Sequence, residues 1–241
     1  MNTLNNIKTI AHRGVHNNID IPENSLLAFK KAKEQNLPIE LDIQLTKDNQ
    51  IIVFHDYNLK RMTNIDKNIK DCTYKELSKI KLLKTKEKIP LLKEVLKLIN
   101  GKVLLDIEIK NIKNKKELIN ILLQELETYK GEYIIKSFNP IIIHKIKKQK
   151  KNIDCGLLLA NKYKHKLTKL LILNNLTLKY CNPDFLAISK KLTNNNKVLK
   201  FQKEKPVLIW TIDTEEDYNK YSNEYICICN KKPGSKKTTI W

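Results

Sequence analysis

The sequence predicts an α/β protein, a closed (β/α)8 TIM barrel with a small insertion after the second strand. Three observations predict it. Strand-like apolar runs alternate with helical periods along the chain, which argues for a parallel sheet. Eight such runs occur without an interrupting linker, repeat or change of composition, so residues 1–241 read as one domain. No GxGxxG or P-loop glycine pattern supports an open, nucleotide-binding sheet. A length of 241 residues suits the barrel, which typically takes ~250.

The first strand is "KTIAHR", residues 8–13. In "ENSLLAFKKAKEQN", Leu26, Phe29 and Lys33 then follow helical steps after a polar start. The second strand is "IELDIQL", residues 39–45, and "IIVFHD" (51–56) reads as an extra strand close behind it. Residues 57–100 are longer than one barrel unit needs. "TYKELSKIK" belongs to the insertion, spanning 57–89, and "IPLLKEVLKLIN" is the barrel helix. The third strand is "KVLLDIEIK" (102–110). In "KKELINILLQELETYKG", Ile119, Leu122, Leu123 and Leu126 share one helix face, and Gly131 is expected to supply a left-handed C-terminal cap. "EYIIKSF" (132–138), "CGLLLA" (155–160), "FLAIS" (185–189), "PVLIWTI" (206–212) and "EYICICN" (224–230) complete the eight.

Composition narrows the class. No apolar run approaches the ~18 residues of a membrane span. The start "MNTLNNIKTI" lacks the apolar stretch of a signal peptide, so the expected location is the cytoplasm. The five cysteines are scattered without a CxxC pair, and neither a disulfide nor a zinc site is expected. The net charge is +20, from 46 basic and 26 acidic residues. Arg13 and Arg61 are the only arginines, and the lysine excess is spread over helix surfaces. With abundant Asn and Ile, this resembles the drift of an AT-rich coding sequence. Attraction to polyanions or anionic lipid is the functional alternative.

The chemistry gathers at particular strand positions. In "IELDIQL", Glu40, Asp42 and Gln44 share one face, because a strand has period two. In "LLDIEIK", Asp106, Glu108 and Lys110 do the same. Acids projecting into a barrel interior repel one another and lose hydration, so they need a cation or a proton. Glu40, Asp42 and Glu108 offer oxygen ligands only, which suits one hard divalent cation, Mg2+ or Ca2+. A half-exposed antiparallel sheet with a solvated face would show the same alternation. His12 and His55 weigh against that alternative. Each closes an apolar run at the strand end where α/β barrels carry their active sites. Beside His12, Arg13 can act as an anion clamp. His16, His144 and His165 have no such setting and are read as non-catalytic.

"HRG", "PENS", "ELD", "HD" and "EIK", in this order, resemble the glycerophosphodiester phosphodiesterase family. "IPLLKEVL", "SF" at 137–138, "WTID" at 210–213 and "CNKKP" near the end support the resemblance, which runs from Ile10 to Pro233. It implies a metal-dependent enzyme that hydrolyses small glycerophosphodiesters to glycerol phosphate and an alcohol. Glu40, Asp42 and Glu108 would bind the cation, and His12 and His55 would be the acid–base pair. Arg13 and Lys110 would hold the phosphate, Trp210 would line the substrate pocket, and Glu23 and Asn24 would belong to the substrate side of the site. The nucleophile would be the substrate's own neighbouring hydroxyl, giving a cyclic phosphate that water opens. Two departures stand out. Asn64 in "LKRMTN" replaces a frequent glycine, and Asn230 in "ICICNKKP" replaces the usual aspartate. Asn230 and "WTID" are also similar to the related spider sphingomyelinase D branch. A lysophospholipid phosphodiesterase forming cyclic phosphate is therefore the enzymatic alternative. A non-catalytic polyanion- or membrane-surface-binding barrel is the alternative from another class. Transient membrane-surface contact fits the charge, and no nucleic-acid partner is expected.

Overall fold

A computed structural model describes residues 3–110, 113–161 and 174–230. The strands are β1 (Thr9–Ala11), β2 (Ile39–Leu45), β3 (Ile51–Val53), β4 (Leu105–Ile109), β5 (Tyr133–Ser137), β6 (Cys155–Leu159), β7 (Phe185–Ser189), β8 (Val207–Ile212) and β9 (Ile226–Cys229). Neighbours run β1-β9-β8-β7-β6-β5-β4-β2 in parallel, and a β1–β2 pairing (Ala11 opposite Ile39) closes the ring. The extra strand β3 pairs antiparallel with the end of β2, outside the barrel.

Helices α1 (Leu26–Glu34), α4 (Leu92–Ile99), α5 (Lys115–Glu127), α6 (Pro140–Gln149), α7 (Asn175–Cys181), α8 (Asn196–Gln202) and α9 (Glu215–Tyr221) lie between successive barrel strands. Two short helices, α2 (Lys60–Thr63) and α3 (Tyr74–Leu77), lie between β3 and α4. They enclose a small core of their own, built on Phe54, Leu59, Met62, Ile69 and Leu77.

Period two sorts the barrel side chains. Leu41, Ile43, Ile107 and Ile109 face outward and pack against helix residues such as Phe29, Val95, Leu118 and Ile142. Inside the barrel, Ile10, Leu104, Ile134, Leu158, Phe185, Leu208 and Ile228 form a separate apolar plug. Above it, at the C-terminal ends of the strands, the interior is charged. Glu40 lies level with Asp106, and Asp42 with Glu108 and then Lys136. Every residue of β2 is buried, and Glu40 and Asp42 are 2% and 1% exposed. The solvated-sheet alternative is thereby excluded: these acids lie inside a closed barrel.

One expected cap is corrected. Helix α5 ends at Glu127, and its C-cap Thr128 has φ −92°, so Gly131 does not cap it. Gly131 serves close approach instead. An added Cβ would lie 2.6 Å from the Gly101 Cα and 2.5 Å from the Tyr129 ring. Asn64, in contrast, takes the left-handed conformation (φ 62°) that ends α2. Asparagine enters that region more readily than other non-glycine residues, so it can stand in for a glycine there. Residues Lys231–Pro233 of the resemblance, and His165, lie outside the described residues.

Candidate active site

The chain leaves β1 through His12 and turns sharply. Arg13 adopts φ 57° and Gly14 φ 79°, both left-handed. The Arg13 conformation is held from both sides. Its N–H donates to Glu40 Oε2 (3.0 Å), and its carbonyl accepts from the Asn24 N–H (3.0 Å). A Cβ on Gly14 would lie 2.9 Å from the Ala28 backbone, so glycine lets this turn close onto α1. Ser25 caps α1, accepting from the Ala28 N–H (3.1 Å).

The turn aims two groups. Arg13 donates to Glu23 Oε1 (2.7 Å) and lies 3.4 Å from Asp42 Oδ2. Glu23 also accepts from both terminal nitrogens of Arg61 (2.6 and 3.0 Å). Both arginines of the chain thus meet on one buried carboxylate. Burial alone would push Glu23 up, but the Arg61 hydrogen bonds and the Arg13 charge hold it well below the usual carboxylate range. Asn24 donates to Asp42 Oδ2 (2.9 Å). Sequence reasoning placed Glu23 and Asn24 on the substrate side of the site. In the structure, neither lines the central cavity, because their polar atoms are turned onto Arg13, Arg61 and Asp42.

Glu40, Asp42 and Glu108 each bring one oxygen within 4.8 Å of the others, all buried. The cluster is already partly neutralised by lysines. Lys110 Nζ lies 2.9 Å from Glu108 and 3.3 Å from Asp42. Lys136 Nζ lies 2.5 Å from Asp106 and 3.3 Å from Glu40. Burial raises Asp106 above the usual carboxylate range, with Lys136 opposing. Burial alone would lower Lys136, but Asp106 and Glu40 hold it above its ordinary value.

The two histidines have different partners. His12 Nδ1 lies 2.5 Å from Asn230 Oδ1, and Asn230 Nδ2 donates to Asp213 Oδ1 (2.7 Å). A carboxylate only accepts, so the amide nitrogen of Asn230 faces Asp213 and its oxygen faces His12. His12 Nδ1 is therefore the protonated nitrogen, and Nε2 is left as an acceptor. Burial, then the adjacent Arg13 charge, lower His12 to about 4. His55 Nδ1 instead meets a carboxylate, Asp56 Oδ1, at 2.6 Å. Asp56 in turn accepts from Arg61 Nε (2.6 Å).

His12, Arg13, His55, Lys110, Lys136 and Trp210 line one cavity of ≈ 160 Å3 at the barrel mouth. Trp210 is fixed by its indole N–H, which donates to the Ala187 carbonyl (3.0 Å), and by an edge contact with Phe138 at 5.9 Å. His16 is buried in the β1–α1 loop, and His144 stacks on Tyr180 at the surface; neither lines the cavity.

The chain matches a known family over most of its length. The model of the "Glycerophosphoryl diester phosphodiesterase family" matches residues 12–229. The chain belongs to this family. Among curated relatives, a glycerophosphodiester phosphodiesterase of Caldanaerobacter subterraneus subsp. tengcongensis is 40% identical over 62% of this chain. One from Bacillus altitudinis is 41% identical over 43% of it. The matches span 65% and 45% of those relatives' own lengths, less than two thirds of each. A glycerophosphodiester phosphodiesterase structure from Thermotoga maritima superposes with TM-score 0.73 at 26% identity, covering 92% of this chain and 94% of that one. An Oleispira antarctica phosphodiesterase, determined with the product sn-glycerol-3-phosphate, superposes with TM-score 0.79 at 23% identity, covering 92% and 91%. That similarity supports the barrel fold.

Four residues of the site escaped sequence reasoning. Asp56 sits in the quoted "HD" and Asp213 in "WTID", but spacing does not reveal that they orient histidines directly or through Asn230. Asn230 reads in the sequence only as a departure from the family. Lys136 carried a readable signal: a lysine two places after Ile134 in "YIIKS" shares the inward face.

Proposed function

We propose that this chain hydrolyses glycerophosphodiesters to glycerol phosphate and an alcohol by histidine acid–base catalysis, with one divalent cation at Glu40, Asp42 and Glu108. The observation that carries the reading is convergence. Two histidines with different partners, three cations (Arg13, Lys110 and Lys136) and two buried acids, Glu40 and Glu108, line one cavity at the C-terminal mouth, and Asp42 completes the acid cluster beside it. A binding surface needs no such set.

The acids fit a cation. They are buried, offer oxygen only and point their oxygens at one place, which suits Mg2+ or Ca2+. When bound, the ion would polarise the phosphoryl oxygens and stabilise charge developing on them. The remaining steps belong to the chain's own side chains. Arg13 and Lys110 hold the phosphate and face the same developing charge. His12 Nε2, with Nδ1 committed to Asn230, takes the proton of the attacking hydroxyl. As that oxygen bonds to phosphorus, the bond to the leaving alcohol breaks, and protonated His55 gives that alcohol its proton. Asp56 stabilises the imidazolium this role requires. Water then opens the cyclic phosphate with the roles reversed, which restores both histidines.

The cation assignment is tested by chelation. Treatment with EDTA should abolish turnover of glycerophosphoglycerol, and Mg2+ or Ca2+ should restore it. Glu40→Gln should need more metal for half-maximal activity. Full activity in EDTA would refute the cation assignment.

A further inference from the structure

Three cavities near the barrel mouth share lining residues in sequence. The central one has only ≈ 160 Å3. His55 and Lys110 line it and also line a wider cleft of ≈ 620 Å3. Tyr57 lines that cleft and also a third cavity of ≈ 490 Å3 beside the end of β2. His12 lines the inner cavity but neither of the outer two.

This ordering sorts the two ends of a diester, if the hydrolytic reading above holds. The attacking hydroxyl must meet His12, so the glycerol end lies inside. The leaving oxygen must meet His55, so the departing alcohol points outward, past Tyr57. The chemistry of the outer cavities then selects the alcohol.

The outer path is positive. Lys47, Lys70 and Lys113 all line the ≈ 490 Å3 cavity. None of the three makes an ion pair among the described residues. The acids along the cleft are engaged already. Asp56 is held by Arg61 and His55. Asp66 is held by Lys60 and Asn58.

We infer that the leaving-alcohol subsite lies along Tyr57 and is built for an alcohol carrying its own phosphate group. Three unpaired lysines around one cavity attract such a group and repel a quaternary ammonium. Exposed charges contribute modestly one at a time, and salt screens them. Together they should set a preference of about tenfold.

The test compares kcat/KM at low salt for three diesters. They are glycerophosphoglycerol, the same compound with a phosphate on its leaving glycerol, and glycerophosphocholine. The wild type should favour the phosphate-bearing diester about tenfold over the neutral one and disfavour the choline diester. That preference should shrink in 0.5 M salt. The triple variant Lys47→Gln/Lys70→Gln/Lys113→Gln should treat the three diesters nearly alike. Equal rates in the wild type, or a preference that survives the triple substitution, would overturn the inference while leaving hydrolysis intact. No turnover of any of the three would overturn the hydrolytic reading and this one with it.

Discussion

His12 and His16 share a property with a measurable consequence. Burial, first among the causes for each, lowers both to about 4 in the folded chain. An unfolded histidine titrates near ~6.5. Between these values the unfolded chain binds more protons than the folded one, so stability falls as pH drops from about 6.5 to about 4. Each histidine accounts for up to about 3 kcal/mol of that loss. His16→Leu removes one contribution and lies off the cavity. Its Tm should fall less steeply than the wild type's between pH 7 and pH 4.5. Parallel Tm curves would show that His16 is not held neutral. At this scale the sequence was legible where residue type alone declares chemistry, as for His12, His55 and the acids at 40, 42 and 108. It was opaque where a role depends on which way a polar group is turned. Glu23 is turned onto Arg13 and Arg61, and Asn24 onto Asp42, so neither lines the cavity. Asp56 and Asn230 differ by one carboxylate against one amide, and only their contacts show that this difference separates the two histidines.

The elements were readable because each carries its own periodicity. Every expected strand has a counterpart, from Thr9–Ala11 to Ile226–Cys229, and the burial of both faces of Ile39–Leu45 and Leu105–Ile109 decides between the two kinds of sheet that their alternation allows. Helix ends were less legible. Among the described residues, eight of the ten non-glycine positions with positive φ are asparagines. In a chain with only five glycines, asparagine makes most of these turns. Gly131 illustrates the opposite error, since its place is fixed by the approach of a loop distant in sequence, around Gly101. Gly131→Ala should therefore overpack that contact and cost about 1–3 kcal/mol, although no helix cap is lost. Thermal unfolding checks this. An unchanged Tm would mean that the loop shifts freely to admit a methyl group.

Across the whole molecule, the closed barrel lets charged groups collect in one place. Apolar side chains fill the lower interior, and the outward faces pack against helices, so the upper interior is left for function. Residues far apart in sequence, from His12 to Asn230, meet there because the ring brings β1 beside β9. The net charge of +20 would draw anionic substrates toward the protein. No helix among the described residues is long and apolar enough to cross a membrane. The proposed reaction depends on His12 and His55 acting together, and one assay addresses that directly. Release of glycerol phosphate from glycerophosphoglycerol should be measured for the wild type, His12→Ala and His55→Ala, each loaded with divalent metal and checked for folding. The account predicts turnover by the wild type and a loss of about 10²–10⁴-fold in each variant. Wild-type turnover in either variant would contradict it.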